Sequence, residues 1–309
     1  MSRIVVALGG SALGDAPQEQ PDKVVEIAKA IAPLVNAGHQ VILCYGDAPQ
    51  VGLINLAFDL AHRNTGSPAM HMGECTAMDE GYMGFHLAQS IDNEMAKTCP
   101  QKQPTITILT QAVVDEKDPA FENPTKMIGE YYTEEQAKKY SEETGDKYVK
   151  VGDKGWRRII ASPKPVGFCE ETTLKTLLNQ HDMIIAAGGG GIPVARDEYG
   201  YKGIPAVIDK DVAAEKLAEM LDADMLLLLV HTDKVILDDG TPEGHEVSEI
   251  TAEDAKKQMD RLKQIGMQTK VAAAVDFAES GMGRKAIIAN VHHALEAADG
   301  RSGTIIKAA

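Results

Sequence analysis

Ile4-Val5-Val6-Ala7-Leu8 runs into Gly9-Gly10-Ser11-Ala12, and this junction of an apolar run with paired glycines decides the fold. Consecutive apolar residues without polar alternation fit a strand buried on both faces. Glycines just beyond such a strand permit a tight turn and a close backbone approach. The junction recurs twice. Val41-Ile42-Leu43-Cys44-Tyr45 leads into Gly46-Asp47-Ala48-Pro49-Gln50-Val51-Gly52, and Met183-Ile184-Ile185-Ala186-Ala187 leads into Gly188-Gly189-Gly190-Gly191-Ile192-Pro193. Open α/β sheets bind ligands outside the carboxyl ends of their strands. Together the loops predict one phosphate-handling crevice. A ligand lying against the backbone is the expected reason for consecutive glycines.

Outward from these junctions, strands and helices alternate. Val24, Ile27, Ile31, Leu34 and Val35 fall at helical spacing, closed by Gly38, and predict a helix over 23–37. Further helices are expected near 51–63, 83–96, 171–178, 213–221, 252–264, 270–280 and 291–298. Strands are expected near 105–109, 206–208, 225–230 and 286–288, with a hairpin at Asp238-Asp239-Gly240 and an edge strand near 303–306. From 112 to 165 the pattern changes. Lys, Glu, Tyr and Pro accumulate there, and a polar helix over 133–144 opens on Thr133-Glu134-Glu135-Gln136, a capping-box pattern. These elements predict one α/β domain over 1–309, a three-layer αβα sandwich on a mostly parallel sheet. Residues 112–165 are expected to protrude from it as a small inserted subdomain.

The chain of 309 residues carries a net charge of -15, which disfavours nucleic acid and anionic membrane as partners. An anionic substrate must then be held by local lysines and backbone amides. Met1-Ser2-Arg3-Ile4 shows no leader pattern, and the apolar run Met225-Leu226-Leu227-Leu228-Leu229-Val230 is too short for a membrane span. Cys44, Cys75, Cys99 and Cys169 are scattered without metal-ligand spacing. The expectation is a cytoplasmic protein with reduced thiols and no metal site of its own. Glu74, Asp79 and Glu80 read as a solvated turn.

Phosphoryl transfer asks a protein chiefly for positive charge and donors around the transferring group. Lys126, in Pro124-Thr125-Lys126-Met127-Ile128-Gly129, and Lys210, in Val207-Ile208-Asp209-Lys210-Asp211, are bounded by turns. So is Lys270, which follows Gly266-Met267-Gln268-Thr269. Aspartates on both sides of Lys210 can hold its ammonium in one place. With these segments in view, the chain resembles the carbamate kinases of the amino acid kinase family, from end to end. Besides the glycine loops, the resemblance rests on Pro49-Gln50-Val51-Gly52, Asn123-Pro124-Thr125-Lys126, Trp156-Arg157-Arg158-Ile159-Ile160-Ala161-Ser162-Pro163-Lys164-Pro165 and Ala206-Val207-Ile208-Asp209-Lys210-Asp211.

The resemblance implies reversible phosphoryl transfer between ATP and carbamate, with Mg²⁺ on the nucleotide, and a homodimer. It implies that Lys126 reaches over the carbamate, that Lys210 and Lys270 neutralise phosphates, and that Asp211 orients them. Gly9, Gly10 and Ser11, with Gly46, Asp47 and Ala48, would line the substrate phosphoryl. Gly188, Gly189, Gly190 and Gly191, with Asp209, Lys210 and Lys270, would shape the nucleotide side.

The chain departs from the family pattern at the carbamoyl end. The family's GGNA is Gly9-Gly10-Ser11-Ala12, and its HGNGPQVG is Tyr45-Gly46-Asp47-Ala48-Pro49-Gln50-Val51-Gly52. Its TQGxIGY is Asp79-Glu80-Gly81-Tyr82-Met83-Gly84-Phe85, and its GSMxPK is Ile265-Gly266-Met267-Gln268-Thr269-Lys270. Asp47 and Glu80 thus stand where amides are usual. An ionised carboxylate about 4 Å from an anionic substrate would cost on the order of 4 kcal/mol. Ala48 would add a methyl where glycine permits φ > 0. These changes leave open another carbamoyl or carboxylate acceptor, one with an amine or amide donor, or a nucleotide-binding regulatory role without turnover.

Overall fold

The structure is a computed structural model that describes residues 1–14, 16–264 and 266–308, with Ser11 described in its backbone only. The chain opens with β1 (Arg3–Leu8), α1 (Gln20–Asn36), β2 (Gln40–Tyr45), α2 (Ala48–Thr65) and α3 (Met72–Ala96). Next come β3 (Ile106–Thr107), β4 (Gln111–Val114), α4 (Pro119–Glu122), β5 (Lys126–Tyr132), α5 (Glu134–Thr144), β6 (Lys147–Lys150), β7 (Trp156–Ile160) and β8 (Pro165–Phe168). The middle of the chain holds α6 (Glu171–Leu177), β9 (Met183–Ile185), β10 (Ile192–Asp197), β11 (Gly200–Gly203), α7 (Lys210–Met220) and β12 (Met225–Val230). It closes with β13 (Val235–Leu237), β14 (His245–Val247), β15 (Glu249–Thr251), α8 (Ala252–Lys257), α9 (Met267–Glu279), β16 (Lys285–Asn290), α10 (Ala294–Ala298) and β17 (Thr304–Lys307).

The main sheet runs β15-β17-β16-β12-β1-β2-β9-β3. From β16 to β3 every neighbouring pair is parallel, and β17 lies antiparallel to β16. Alternate residues of β1 feed opposite layers. Val5 and Ala7 pack with Leu217 of α7 and Phe277 of α9. Ile4, Val6 and Leu8 pack with Ile31 of α1, Leu87 of α3 and Ala297 of α10. Because both faces are covered, the central strands must be apolar throughout. This is the three-layer α/β sandwich the sequence predicts.

A second sheet, β11-β10-β4-β8, and a third, β5-β7-β6, lie outside the main one. The third is antiparallel throughout and is followed through α5, whose Thr133–Gln136 capping box is formed. Residues 126–160 thus carry a sheet of their own, while 111–114 and 165–168 pair within the second sheet.

Several expected elements differ. Residues 206–208 make only a bridge from Ala206 to Ala161. The C-terminal strand is not an edge, because β15 pairs on its outer side. The helix expected over 252–264 stops at Lys257 and gives way to a tight turn, Met259–Arg261. The largest difference is α3, which starts at Met72 and places Asp79 and Glu80 inside a helix, both almost fully buried. The expected solvated turn is absent there. Of its glycines, Gly84 answers to packing: a Cβ there would come within 2.4 Å of Thr107 Cγ2.

Candidate active site

The carboxyl ends of β1, β2 and β12 and the amino end of α7 converge on two adjoining cavities. One, of about 170 Å³, is lined by Gly10, Gly46, Asp47, Ala48, Lys126, Gly189, Asp209 and Lys210. Val51, Met72, Met127, Ile128 and Val207 give it apolar walls, and Thr76 and Arg157 also face it. The other, of about 240 Å³, is lined by Gly9, Gly10, Lys210, Lys270, His231, Thr232, Gln264 and Met267. Gly10 and Lys210 belong to both. A group held at Gly10 and Lys210 is therefore reachable from either side.

The loops meet because small residues allow it. Gly46 N donates to Leu8 O at 3.0 Å, and Gly9 N donates to Leu229 O at 3.3 Å. A Cβ on Gly46 would sit 2.6 Å from Lys210 Cδ, so the missing side chain is what lets Lys210 pass across the β2 loop. Ala48 opens α2 with helical geometry, and its φ is not positive. The strain expected of its methyl does not arise. The Ser11 side chain lies outside the described residues.

The lysines are held by two carboxylates of one helix start. Asp209 caps α7, its Oδ1 accepting from Asp211 N at 3.0 Å. Its Oδ2 accepts from Lys126 Nζ at 2.8 Å. Burial works to raise the Asp209 pKa, but Lys126 and Lys210 outweigh it and hold the carboxyl below its usual range. Lys210 Nζ and Lys270 Nζ both donate to Asp211 Oδ2, at 3.2 and 3.0 Å. Burial opposes charge on both lysines. At Lys210 the pull of Asp211 and Asp209 prevails and its pKa is raised. At Lys270 burial prevails and its pKa is lowered. Ammonium groups gathered around a shared wall suit an anion that changes hands.

The Gly188-Gly189-Gly190-Gly191 run has a different setting from the expected one. Gly189 lines the Lys126 cavity, and none of the four lines the cavity that holds Lys270. The glycines are dictated by protein contacts. A Cβ on Gly189 would lie 2.3 Å from Asp47 Oδ2, and one on Gly190 2.7 Å from Ile208 O, with φ of +63° and +96° at these positions. Protein packing alone is enough to require the run.

Asp47 is also unlike its expectation. Its carboxyl is buried among protein groups, with Oδ2 unpartnered by any donor among the described residues. It lies within hydrogen-bond reach of the Asp79 carboxyl. Glu80 adjoins them and accepts from Thr110 N at 2.9 Å. Burial holds all three carboxyls above the usual carboxylate range. The charge repulsion expected against an anionic substrate is lessened, because burial shifts each carboxyl toward its neutral form.

His231, Thr232, Gln264 and Arg157 also line the cavities and carry no motif that singles them out. His231 and Thr232 directly follow β12, so the strand-end rule could have pointed to them. Arg157 was visible inside Trp156-Arg157-Arg158 but had no assigned role.

The amino acid kinase family model matches residues 2–290. The carbamate kinase of Staphylococcus haemolyticus is 40% identical, covering 99% of this chain and 100% of its own. That of Pyrococcus furiosus is also 40% identical, covering 98% of each. Among solved structures, carbamate kinase from Giardia lamblia bound to AMP-PNP superposes with a TM-score of 0.91 at 33% identity, over 100% of this chain and 99% of that one. A crystal structure from Aeropyrum pernix K1 gives 0.93 at 28% identity, over 99% and 100%. With its sheet order, its paired lysines and these full-length likenesses, the chain belongs to the amino acid kinase family, among the carbamate kinases.

Proposed function

We propose that the chain transfers a phosphoryl group reversibly between ATP and carbamate. The observation that carries this reading is the wall shared by the two cavities at Gly10 and Lys210. Carbamoyl phosphate occupies the Lys126 side and ADP, as its Mg²⁺ complex, the Lys270 side. A β-phosphate oxygen of ADP attacks phosphorus as the bond to the carbamate oxygen breaks, giving ATP and carbamate. Gly10 and Lys210 stabilise the transferring group, Lys126 the departing carbamate, and Lys270 the nucleotide phosphates. Asp211 fixes Lys210 and Lys270, and Asp209 fixes Lys126. In this reading Mg²⁺ enters with the nucleotide.

Residues 112–165 act in this reading as the inserted subdomain that brings Lys126 over the acceptor. A homodimer is part of the proposal. Leu53 and Leu60 on α2 and Met78, Tyr82 and Phe85 on α3 are exposed at helical spacing, and a second copy would cover them. A cytoplasmic setting completes it. A second reading, favoured by the apolar walls at Val51, Met72, Met127 and Ile128, is a carboxylate or carbamate acceptor with an apolar substituent.

The deciding experiment mixes purified protein with ADP, Mg²⁺ and carbamoyl phosphate and follows ATP. Formation of ATP that is lost in Lys126→Ala supports the proposal. Bound ADP without ATP formation rejects it, and acyl phosphates with apolar chains then test the second reading.

A further inference from the structure

Asp47, at the edge of the acceptor cavity, joins Asp79 and Glu80 behind it in a buried carboxyl cluster that has no role in the transfer step described above. Asp47 stands at the end of β2, where the chain turns into α2, and its side chain makes no capping bond. Its carboxyl presses on the Cα of Gly189, with no room there for even a methyl group. Asp79 approaches from α3, the helix that Tyr45 also meets by donating from its hydroxyl to Asp79 O at 3.4 Å. Both Asp79 side-chain oxygens, Asp47 Oδ2 and Glu80 Oε1 are buried without a donor among the described residues. As carboxylates, these groups would leave several lone pairs unsatisfied and like charges in contact.

The surroundings supply little compensation. Cys44 and Tyr45 of β2 are neutral neighbours, Glu170 at the start of α6 adds negative charge near Glu80, and Lys210 of α7 is a cation acting on Asp47. Lys210 is already engaged by Asp211. A proton between two carboxyls in contact satisfies both, as in paired-carboxyl sites.

We propose that Asp47 and Asp79 share one proton, and that this proton positions the acceptor cavity by seating the 46–48 loop against the 188–191 turn. Removing it sets two charges against each other behind Gly46 and Gly189, both of which line the cavity. Asp47 and Asp79 are then positioning residues that act through the loops. The burial that holds both carboxyls above their usual range is consistent with this arrangement. An amide at either position would donate the same bond at any pH. The proposal rests on the Lys126 cavity being the acceptor side, so its test includes readouts that need no turnover.

The test compares wild type with Asp79→Asn and Asp47→Asn between pH 7 and pH 11, a range that brackets loss of the second carboxyl proton at about 10. Initial rates of ATP formation should show the wild-type KM for carbamoyl phosphate rising roughly tenfold across this range, with the KM for ADP changing less than about threefold. Both amide variants should flatten the first profile. Hydrogen exchange of residues 44–48 and 186–191, corrected for intrinsic rates, should increase with pH in wild type and not in the variants. Equal pH slopes for wild type and both variants, in KM and in exchange, overturn the proposal. If no ATP forms at any pH, the functional reading falls, while exchange and melting temperature still decide whether the proton is there. If one variant fails to fold, the other carries the comparison.

Discussion

Lys126 Nζ lies 2.8 Å from Asp209 Oδ2, and this single ion pair ties the first residue of β5 to the amino end of α7. Both side chains are partly exposed, at 40% and 24%. The pair therefore holds Lys126 at the cavity it lines weakly enough to be exchanged for another oxygen ligand.

Lys126→Ala removes one donor from the acceptor side and leaves the other lysines in place. Loss of a single preorganised donor of this kind costs about 10² to 10³ in turnover. The expected result is a fall of that size in kcat for ATP formation, with the KM for ADP little changed. Steady-state kinetics with each substrate varied in turn checks it. An equal rise in both KM values would place Lys126 elsewhere.

Asp211→Ala strands Lys210 and Lys270, whose ammonium groups now share one oxygen. Breaking a buried pair by removing one partner typically costs about 3 kcal/mol or more. Urea unfolding should show a loss of that order. Isothermal titration should show weaker ADP binding, because the two lysines then repel each other at the wall between the cavities.

Gly46→Ala places a methyl 2.6 Å from Lys210 Cδ and should displace that lysine. We expect a loss of stability of about 1 to 3 kcal/mol, the range for overpacking, together with a large drop in kcat. Gly81→Ala is the control, since Gly81 is exposed in α3 and a Cβ there meets nothing within 4 Å. It should gain about 0.8 kcal/mol from helix propensity. Thermal melts of the two variants should shift in opposite directions.

How much could be foreseen depended on whether local or distant forces govern each segment. The strands β1, β2 and β12 are legible because burial on both faces leaves no choice but a continuous apolar run. The start of α3 was not, because Gly73, Gly81 and Gly84 dilute the helical signal while Thr107, far along the chain, decides that Gly84 must stay small. The positive φ of Ala187 left no mark in the sequence. At the candidate site, the gathering of Lys126, Lys210 and Lys270 around Asp209 and Asp211 was suggested by family resemblance and lay beyond spacing alone. The buried state of Asp47 and Glu80 could not be read from residue types, which argue for solvent.

Glu215 offers a pH dependence remote from the cavities. Burial, with Glu219 and Asp276 nearby, raises its pKa to about 7. Because the folded state prefers the neutral form, its stability is full below the ordinary glutamate range and declines as pH rises through about 7. The melting temperature of wild type should fall between pH 5 and pH 8 on this account. Glu215→Gln should make that decline shallower, and an unchanged slope would exclude Glu215 as its source.

The wall common to both cavities also bears on inhibition. On the proposed reading, a compound confined to either side meets competition from only one substrate. A molecule carrying a nucleoside phosphate joined by a short bridge to a small acid would cross at Gly10 and Lys210 and engage both sides at once. Tethering makes the second contact intramolecular, so the gain should follow effective concentration, reaching roughly 10²-fold or more for a bridge of matching length. The optimum bridge length would then measure, in solution, the distance over which the phosphoryl group travels.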